Sequence, residues 1–306
     1  MKNILITGIT GFIGKNLKRY LQNTHKYQIW GVSRNSNDSN HINFNNIDSS
    51  GEFDAYIHLA GKAHDLKNST NPQEYYEVNT DLTIKLFDLF LSSKSDLFIF
   101  LSSVKAVKDN TNSVLSEEAI PNPFTDYGKS KRLAEEYILS NLPQTKRVYI
   151  LRPCMVHGDG NKGNLTLLYK FVKKGIPYPL GAFDNKRSFL SIENLCFVIK
   201  ELIERDDIPS GVYHLADDEP IDTKSLIKLI NKTTNKNVPI WNLPKSLIKI
   251  IGKIGEFLPL PINTERIEKL TENYVVSNQK IKNALRKKLP ISTQAGLIRT
   301  IKSFEK

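Results

Sequence analysis

Short apolar runs alternate with longer helical segments through the first half of the 306-residue chain. Runs rich in apolar and β-branched residues predict strands at residues 3–6, 27–32, 54–59, 97–101 and 147–151. Apolar residues that recur every three or four positions predict helices at residues 11–21, 72–91 and 126–139, and an Asn/Ser-rich stretch predicts a loop at 35–46. Strands separated by crossover helices form right-handed βαβ units. This half therefore predicts an α/β fold, a Rossmann-type doubly wound parallel sheet.

The pattern loosens after Arg152. A helix is predicted around residues 165–174, a strand in GVYHLA, and mostly helices from there to the end. We therefore predict two domains, a dinucleotide-binding domain at residues 1–152 and a smaller, mostly helical substrate lobe at 153–306 whose elements return partly to the main sheet. The basic segment LPKSLIKIIGKIGEFLPL, residues 243–260, is amphipathic. Packing of its apolar stripe on the lobe is the preferred interpretation, and contact with a membrane surface is the alternative.

Glycines follow the first predicted strand at regular intervals. The segment ILITGITGFIGKNL places Gly8, Gly11 and Gly14 between that strand and the first helix. Glycine is needed where a backbone turns sharply or must approach a pyrophosphate, and the helix N-terminus adds partial positive charge. The loop is predicted to bind a dinucleotide; the alternative is that these glycines only permit tight strand-to-helix packing.

The end of the second predicted strand bears on the choice of dinucleotide. Ser33 and Arg34 stand where an acidic residue would accept the ribose hydroxyls of NAD. A cation and a hydroxyl suit a 2′-phosphate, so NADP is slightly favoured over NAD. Asp38 could serve NAD if the loop folds back, and Arg34 could equally be an exposed loop cation.

Tyr127 and Lys131 are four residues apart on a predicted helix, so their side chains share one face. A nearby ammonium and an oxidised nicotinamide both favour tyrosinate, which brings the phenol towards useful acid/base range. Ser102 and Ser103 end the fourth predicted strand at the carboxyl edge of the sheet, where such sheets bind ligands. Ser103 could hydrogen-bond a substrate oxygen while Tyr127 exchanges its proton.

Composition and charge limit the expected partners, metal sites and location of the protein. The formal charge of +11 comes from dispersed lysines rather than a dense basic run, so a nucleic-acid partner is not expected. Cys154 and Cys196 have no metal spacing and are expected to be buried free thiols, while His58 and His64 are expected to be structural or surface residues, so no metal is expected. No apolar stretch is long enough for a signal peptide or membrane span. A cytoplasmic protein without membrane insertion is expected.

Six motifs in order resemble the extended short-chain dehydrogenase/reductases, specifically the NAD-dependent epimerase/dehydratase family that acts on nucleotide sugars. The motifs are TGITGFIG, HLAG at residues 58–61, VN at 78–79, LSSVKAV, YGKSK at 127–131 and LRPCMVHGDG at 151–160. The loop SSVKAV and the segment PLGAFDNKRSFLSIENL are most similar to bacterial UDP-N-acetylhexosamine 4-epimerases and 4-ketoreductases linked to surface polysaccharides, such as UDP-N-acetylquinovosamine dehydrogenase.

The resemblance implies a role for each matching residue. It makes Tyr127 the acid/base, Ser103 its partner and Lys131 the cation that holds the cofactor and tunes the tyrosine. Asn164 would contact the nucleotide diphosphate of a UDP-sugar, and Arg187 would clamp it. The predicted cofactor-binding residues are Ser33 and Arg34, from their position after the second strand, and, as the resemblance implies, Gly8, Gly11, Phe12, Ile13, Gly14, Leu59, Ala60, Gly61, Asn79, Tyr127 and Lys131. A homodimer built on two helices of the first domain is also implied.

Three departures from the family pattern limit what the resemblance implies. Val104 and Lys105 replace the acidic pair of the dehydratases, so elimination of water is disfavoured. Lys108 and Asp109 replace the usual Tyr-Gly, and Ser33-Arg34 replaces the acidic residue. The expected activity is hydride transfer at C4 of a UDP-sugar, as a 4-ketoreductase or a 4-epimerase. The alternative is a non-catalytic dinucleotide-binding regulatory or scaffold protein.

Overall fold

The computed structural model describes residues 1–32, 40–47, 52–63, 71–161, 163–257 and 264–305. The strands among these residues are β1 (Lys2–Thr7), β2 (Tyr27–Val32), β3 (His41–Ile42), β4 (Ala55–His58), β5 (Leu97–Leu101), β6 (Arg147–Pro153), β7 (Met155–His157), β8 (Lys186–Arg187), β9 (Phe189–Ser191), β10 (Gly211–Leu215) and β11 (Ile221–Asp222). The helices are α1 (Phe12–Gln22), α2 (Gln73–Tyr76), α3 (Leu82–Ser92), α4 (Asp126–Ser140), α5 (Asn164–Lys173), α6 (Ile192–Glu204), α7 (Thr223–Thr234), α8 (Lys245–Phe257), α9 (Thr264–Thr271), α10 (Gln279–Leu285) and α11 (Thr293–Ser303).

Seven of the described strands form one parallel sheet in the order β10-β6-β5-β4-β1-β2-β3. The predicted Rossmann-type fold is therefore confirmed. β10 comes from the second half of the chain and pairs with β6, with Tyr213 opposite Leu151. The division of the chain after residue 152 and the homodimer stay predictions.

The strands in the middle of the sheet are mostly apolar because both faces are covered. In β1, Ile4 and Ile6 pack on the side of α1 and α6, whereas Leu5 packs on the side of α3 and α4. Alternation along β5 is similar, with Ile99 on the first side and Phe98 on the second. A continuous apolar run without a polar face is thus the mark of these central strands.

Several short elements were outside the sequence prediction, among them β7, β8, β9 and β11 in the second half and two features of the first half. β3 lies within the predicted loop at 35–46 and adds a two-residue edge strand, with Ile42 opposite Val32. It is too short to show a periodic pattern, which is why the sequence did not reveal it. The predicted helix at 72–91 contains a π-helical turn, Glu77–Asp81, between α2 and α3.

The second lobe has an apolar cluster of its own, built from α5, α7, α8 and α11. Two small sheets lie beside it, β11 paired antiparallel with β8 and β7 paired parallel with β9. Cys154 and Cys196 are buried and free, as expected. Among the described residues, no helix is long and apolar enough to cross a membrane.

Candidate active site

The helix α4 carries the predicted acid/base across the end of the sheet. Thr125 caps its N-terminus by accepting a hydrogen bond from the Gly128 N–H at 3.2 Å. Tyr127, Lys131 and Glu135 follow at four-residue intervals, so they lie along one face of the helix. This face meets the ends of β5 and β6, because Glu135 bonds to Ser102 and Arg152 there.

The side chains of Ser103 and Tyr127 are brought together by this arrangement. Ser103 follows β5 in an extended conformation and is only 8% exposed. Burial raises the pKa of Tyr127 above its ordinary value of 10.0, and the side-chain hydrogen bond with Ser103 acts in the opposite direction. The predicted pair is thus in contact, and the phenol is protonated at neutral pH.

Lys131 is a nearly enclosed cation, with 4% of its surface exposed. Its Nζ donates to the Leu101 carbonyl at 2.9 Å and lies 4.8 Å from the centre of the Phe100 ring. Burial lowers the pKa of this ammonium from 10.5 to about 8. A Cβ at Gly61 would lie 2.9 Å from Nζ, so a larger residue there would require the lysine side chain to shift.

Asn79 lies in the π-helical turn and is fully buried beside Lys131 and Gly61. Its Oδ1 accepts from the Lys62 N–H at 2.8 Å, while its Nδ2 donates to the Ser130 hydroxyl at 3.0 Å. Inserting one residue into the turn changes which side chains face the neighbouring helix. The π turn thereby connects the loop after β4 to α4 next to Tyr127.

His58 is a buried structural residue, as predicted. Its ring nitrogens hydrogen-bond the hydroxyls of Thr7, at 2.6 Å, and Thr83, at 2.9 Å. Burial, reinforced by the charge of Lys131, lowers the pKa of the imidazole to about 3, so the ring is neutral. The Thr7 hydroxyl also accepts from the Ala60 N–H, which links β1 to the loop after β4. The other histidine of that prediction, His64, lies outside the described residues.

Sequence reasoning missed Glu135, which is fully buried under α4. Arg152 of β6 grips its carboxylate through two hydrogen bonds, at 2.9 and 2.6 Å, and the Ser102 hydroxyl donates to it at 2.5 Å. The four-residue spacing from Lys131 was the available signal, because it places a carboxylate on the same buried face.

Asp109 was noted in the sequence only as a departure from the family pattern. The side chain is 4% exposed and accepts from the backbone N–H groups of Phe124 and Thr125, at 2.8 and 3.2 Å. Its other oxygen accepts from the Thr125 hydroxyl at 2.7 Å. Asp109 therefore holds the residue that caps α4 and so helps to place Tyr127.

The glycine loop has the shape that a dinucleotide requires. Gly8 has φ +68°, and a Cβ there would lie 2.6 Å from the Ala60 nitrogen. The Gly11 N–H donates to the Gly8 carbonyl at 3.0 Å, and within the described residues no side chain caps the α1 N-terminus. Backbone N–H groups of α1 thus remain for an anion. Phe12, Ile13 and Gly14 form the first turn of this helix.

Of the remaining residues predicted to bind the cofactor, the structure describes those after β4 but not those after β2. Leu59, Ala60 and Gly61 follow β4 at the carboxyl edge, on the same edge as the glycine loop. Ser33 and Arg34 lie outside the described residues.

The two predicted substrate residues lie in the second lobe. Asn164 is exposed at the start of α5. Arg187 in β8 is mostly buried, and its Nη2 lies 3.2 Å from a carboxylate oxygen of Glu272.

The family model of NAD-dependent epimerases/dehydratases matches residues 4–216. UDP-glucose 4-epimerase of Vibrio cholerae is 30% identical over 99% of this chain and 95% of its own length. N-acetyl-α-D-glucosaminyl-diphospho-ditrans,octacis-undecaprenol 4-epimerase of Escherichia coli O157:H7 is 26% identical over 92% of this chain and 84% of its own. These relatives extend over nearly the whole chain.

Solved structures share the fold at lower identity. UDP-N-acetylglucosamine 4-epimerase from Bacillus cereus has a TM-score of 0.79 at 18% identity and covers 100% of both chains. WbmG of Bordetella bronchiseptica, solved with NAD, has a TM-score of 0.77 at 15% identity, over 99% of this chain and 94% of that one. RMD from Pseudomonas aeruginosa, solved with NADPH, has 0.75 at 21%, over 100% and 99%.

The buried ammonium of Lys131 should lower stability at neutral pH. Its pKa is 10.5 when exposed and about 8 in the fold, so the unfolded chain holds one more proton between these values and the free energy of unfolding rises with pH there. Below pH 8 the full cost remains. Lys131→Met removes that cost but also a hydrogen bond to Leu101, and we expect a net gain of about 1–2 kcal/mol at pH 7 that shrinks by pH 10.

Urea unfolding at the two pH values measures this difference. Lys129→Met, at an exposed position on the same helix, is the matched control and should show no such pH-dependent gain. A Lys131→Met protein less stable than the wild type at pH 7 would contradict the expectation.

Proposed function

The chain belongs to the NAD-dependent epimerase/dehydratase family, and we propose that it acts at C4 of a UDP-sugar, as a 4-epimerase or a 4-ketoreductase. The proposed sugar is an N-acetylated hexosamine, and the proposed setting is the synthesis of a bacterial surface polysaccharide. The observation that carries the proposal is the hydrogen bond between Ser103 and Tyr127 beside the buried Lys131. The loop Val104-Lys105 lacks the acidic pair that water elimination would require.

Tyr127 is the proposed proton carrier. In oxidation its phenolate oxygen takes the proton of the C4 hydroxyl, and in reduction the phenol returns a proton to the C4 oxygen. Ser103 donates a hydrogen bond that orients this oxygen and stabilises its negative charge. A bound nicotinamide supplies the acceptor or donor of the hydride at C4. The residues that would hold the dinucleotide are the glycine loop, Leu59 to Gly61, Asn79 and Lys131.

The protonation state of Tyr127 favours its role as an acid. Burial raises the phenol pKa, so the proton is present for reduction of a 4-keto sugar. For oxidation the proton must leave, and positive charge from Lys131 and an oxidised nicotinamide would favour that step. Lys131, with a pKa of about 8, is mostly charged at neutral pH and can contribute this field.

Arg187 is the proposed contact of the substrate diphosphate. The guanidinium is mostly buried, and among the described residues its Nη2 has no hydrogen bond of good geometry, although Glu272 is close. A planar fork held by one carboxylate retains donors for phosphate oxygens. Asn164, exposed at the α5 N-terminus, is proposed to contact the same diphosphate.

A second candidate function follows from one relative. The Escherichia coli O157:H7 protein is named for a sugar linked through diphosphate to undecaprenol. An N-acetylhexosamine on a diphosphate is common to that compound and to a UDP-sugar. Epimerisation of a polyprenyl diphosphate sugar is therefore the second candidate, and the same Ser103, Tyr127 and Lys131 would serve it.

The identity of the bound cofactor would distinguish a 4-ketoreductase from a 4-epimerase. Arg34 and Ser33 would favour NADPH, which exchanges between turnovers and suits a reductase. An epimerase that returns the hydride to its own substrate can keep NAD bound throughout. We propose a nicotinamide dinucleotide, with NADP slightly favoured.

Mass spectrometry of small molecules released from the purified protein comes first. The protein is then incubated with UDP-N-acetylglucosamine, with a UDP-4-keto-6-deoxy-N-acetylhexosamine plus NADPH, and with a polyprenyl diphosphate N-acetylglucosamine. Bound NAD and conversion of UDP-N-acetylglucosamine to its C4 epimer identify an epimerase and refute the NADP preference. NADPH consumption only with the keto sugar identifies a reductase. Turnover of none of them would contradict the proposal.

Tyr127→Phe removes only the hydroxyl. We expect turnover to fall at least about a hundredfold, the usual contribution of a positioned acid/base, with dinucleotide binding retained. The matched control is Tyr137→Phe, on the same helix, whose hydroxyl donates to Asp88 at the surface. Steady-state turnover and dinucleotide titration measure the two effects, and near-normal turnover in Tyr127→Phe would refute the mechanism.

Arg187→Lys keeps the charge but loses the planar fork. We expect the dissociation constant for UDP to rise about tenfold or more, because charge-assisted hydrogen bonds contribute about 1.5–3 kcal/mol. Lys186→Ala, at the exposed neighbour in β8, is the control and should bind UDP normally. Isothermal titration calorimetry with UDP measures both. Unchanged affinity in Arg187→Lys would exclude the proposed diphosphate contact.

A further inference from the structure

The helix α8 presents two opposite faces with different environments. Ile248 is 2% exposed and Gly252 is buried, and a Cβ at Gly252 would lie 2.7 Å from Ile267 of α9. This side therefore packs closely on the second lobe. At 100° per residue, Ile250 points away from both of these positions. It is 54% exposed, and Leu247, next to it on the outer side, is 42% exposed.

Lysines border the exposed apolar side chains. Lys245, Lys249 and Lys253 follow at four-residue intervals on α8, and all three are exposed. The surrounding sequence strengthens this charge, because residues 223–255 contain seven lysines and no Asp or Glu. Lys245 lies within about 20° of Gly252 around the helix, and its Nζ is 5.5 Å from the centre of the Phe183 ring. We therefore define the outer face of α8 as Leu247, Lys249, Ile250 and Lys253.

We propose that the outer face of α8 binds the surface of an anionic lipid bilayer. Exposed Ile and Leu side chains beside a row of lysines match an interface with apolar chains below and negative headgroups alongside them. Trp241, four residues before α8, is 51% exposed, and tryptophan is enriched at membrane–water interfaces. A nucleic-acid partner would use the lysines but leave the apolar side chains without a role.

The expected attachment is peripheral and reversible. Two apolar side chains and two lysines provide far less binding energy than a membrane-spanning helix, and α8 has only 13 residues. The second lobe would lie against the bilayer, which raises the concentration of the enzyme at the surface. This proposal rests on the α8 face alone and does not depend on the proposed catalytic function.

Sedimentation with large phosphatidylcholine vesicles, with and without equimolar phosphatidylglycerol, tests the proposal on the full chain. We expect binding to the anionic vesicles at about 0.1 M salt and loss of most of it at about 1 M, where the screening length falls from ~10 to ~3 Å. Neutral vesicles should bind little protein at either salt concentration.

Leu247→Glu locates the contact and has a matched control. Leu142 is also 42% exposed, but it lies in the first half of the chain, between the end of α4 and the start of β6. Leu247→Glu should weaken vesicle binding at least about tenfold, whereas Leu142→Glu should bind as the wild type does. Lys249→Gln should weaken binding about fivefold, the contribution of one lysine near an anionic surface. Circular dichroism confirms that each variant is folded.

The proposal is overturned if the wild type fails to sediment with anionic vesicles at low salt. It is also overturned if Leu247→Glu binds as strongly as Leu142→Glu. A concentration-dependent dimer that Leu247→Glu dissociates, without vesicle binding, would instead assign this face to a second copy of the chain. Catalytic turnover is not part of any of these readouts, so failure here leaves the proposed function standing.

Discussion

The buried ion pair between Glu135 and Arg152 determines where the reactive side chains lie. Glu135 is fully buried in α4, Arg152 is 3% exposed in β6, and Ser102 at the end of β5 completes the carboxylate's hydrogen bonds. Such a pair adds little net stability compared with apolar residues, but removing one partner leaves a buried charge at a cost of about 3–5 kcal/mol. Its effect is positional: it sets the rotation of α4 over the sheet. One turn and two turns further towards the N-terminus, the same helical face then presents Lys131 and Tyr127.

Burial lowers the pKa values of two basic groups of the site, Lys131 and His58, to different extents. The ammonium of Lys131 and the imidazole of His58 lose charge stabilisation on burial, and their pKa values fall to about 8 and about 3. For His58 the neutral ring serves two threonine hydroxyls and connects β1, β4 and α3. For Lys131 most of the charge survives at neutral pH, in a place where a low dielectric makes it effective. At neutral pH the site therefore keeps the buried positive charge of Lys131, whereas His58 is uncharged.

The sequence predicted the central elements well because parallel strands buried on both faces leave a continuous apolar run. The strands predicted at 27–32 and 97–101 coincide with β2 and β5. It could not reveal β3, which has only two residues, or the π turn at Glu77–Asp81, which is one short turn inside an otherwise helical segment. Within the site, Tyr127 and Ser103 followed from spacing and strand ends. Glu135 and Asp109 did not, because their importance arises from partners 17 and 15–16 residues away along the chain.

The same geometry explains why the motifs identify the reaction more closely than the substrate. In the proposed mechanism Ser103, Tyr127 and Lys131 act on one oxygen and its carbon, so the same three residues would serve whether a sugar is reduced on one face or on both. In the proposed function the second lobe would distinguish between substrates, and it is there that Arg187 lies beside Glu272 and α5 begins. These elements are joined to the main sheet through β10 and β6, the strand that carries Arg152. The ion pair that anchors α4 is therefore formed by the same strand, β6, that pairs with β10 from the second half of the chain.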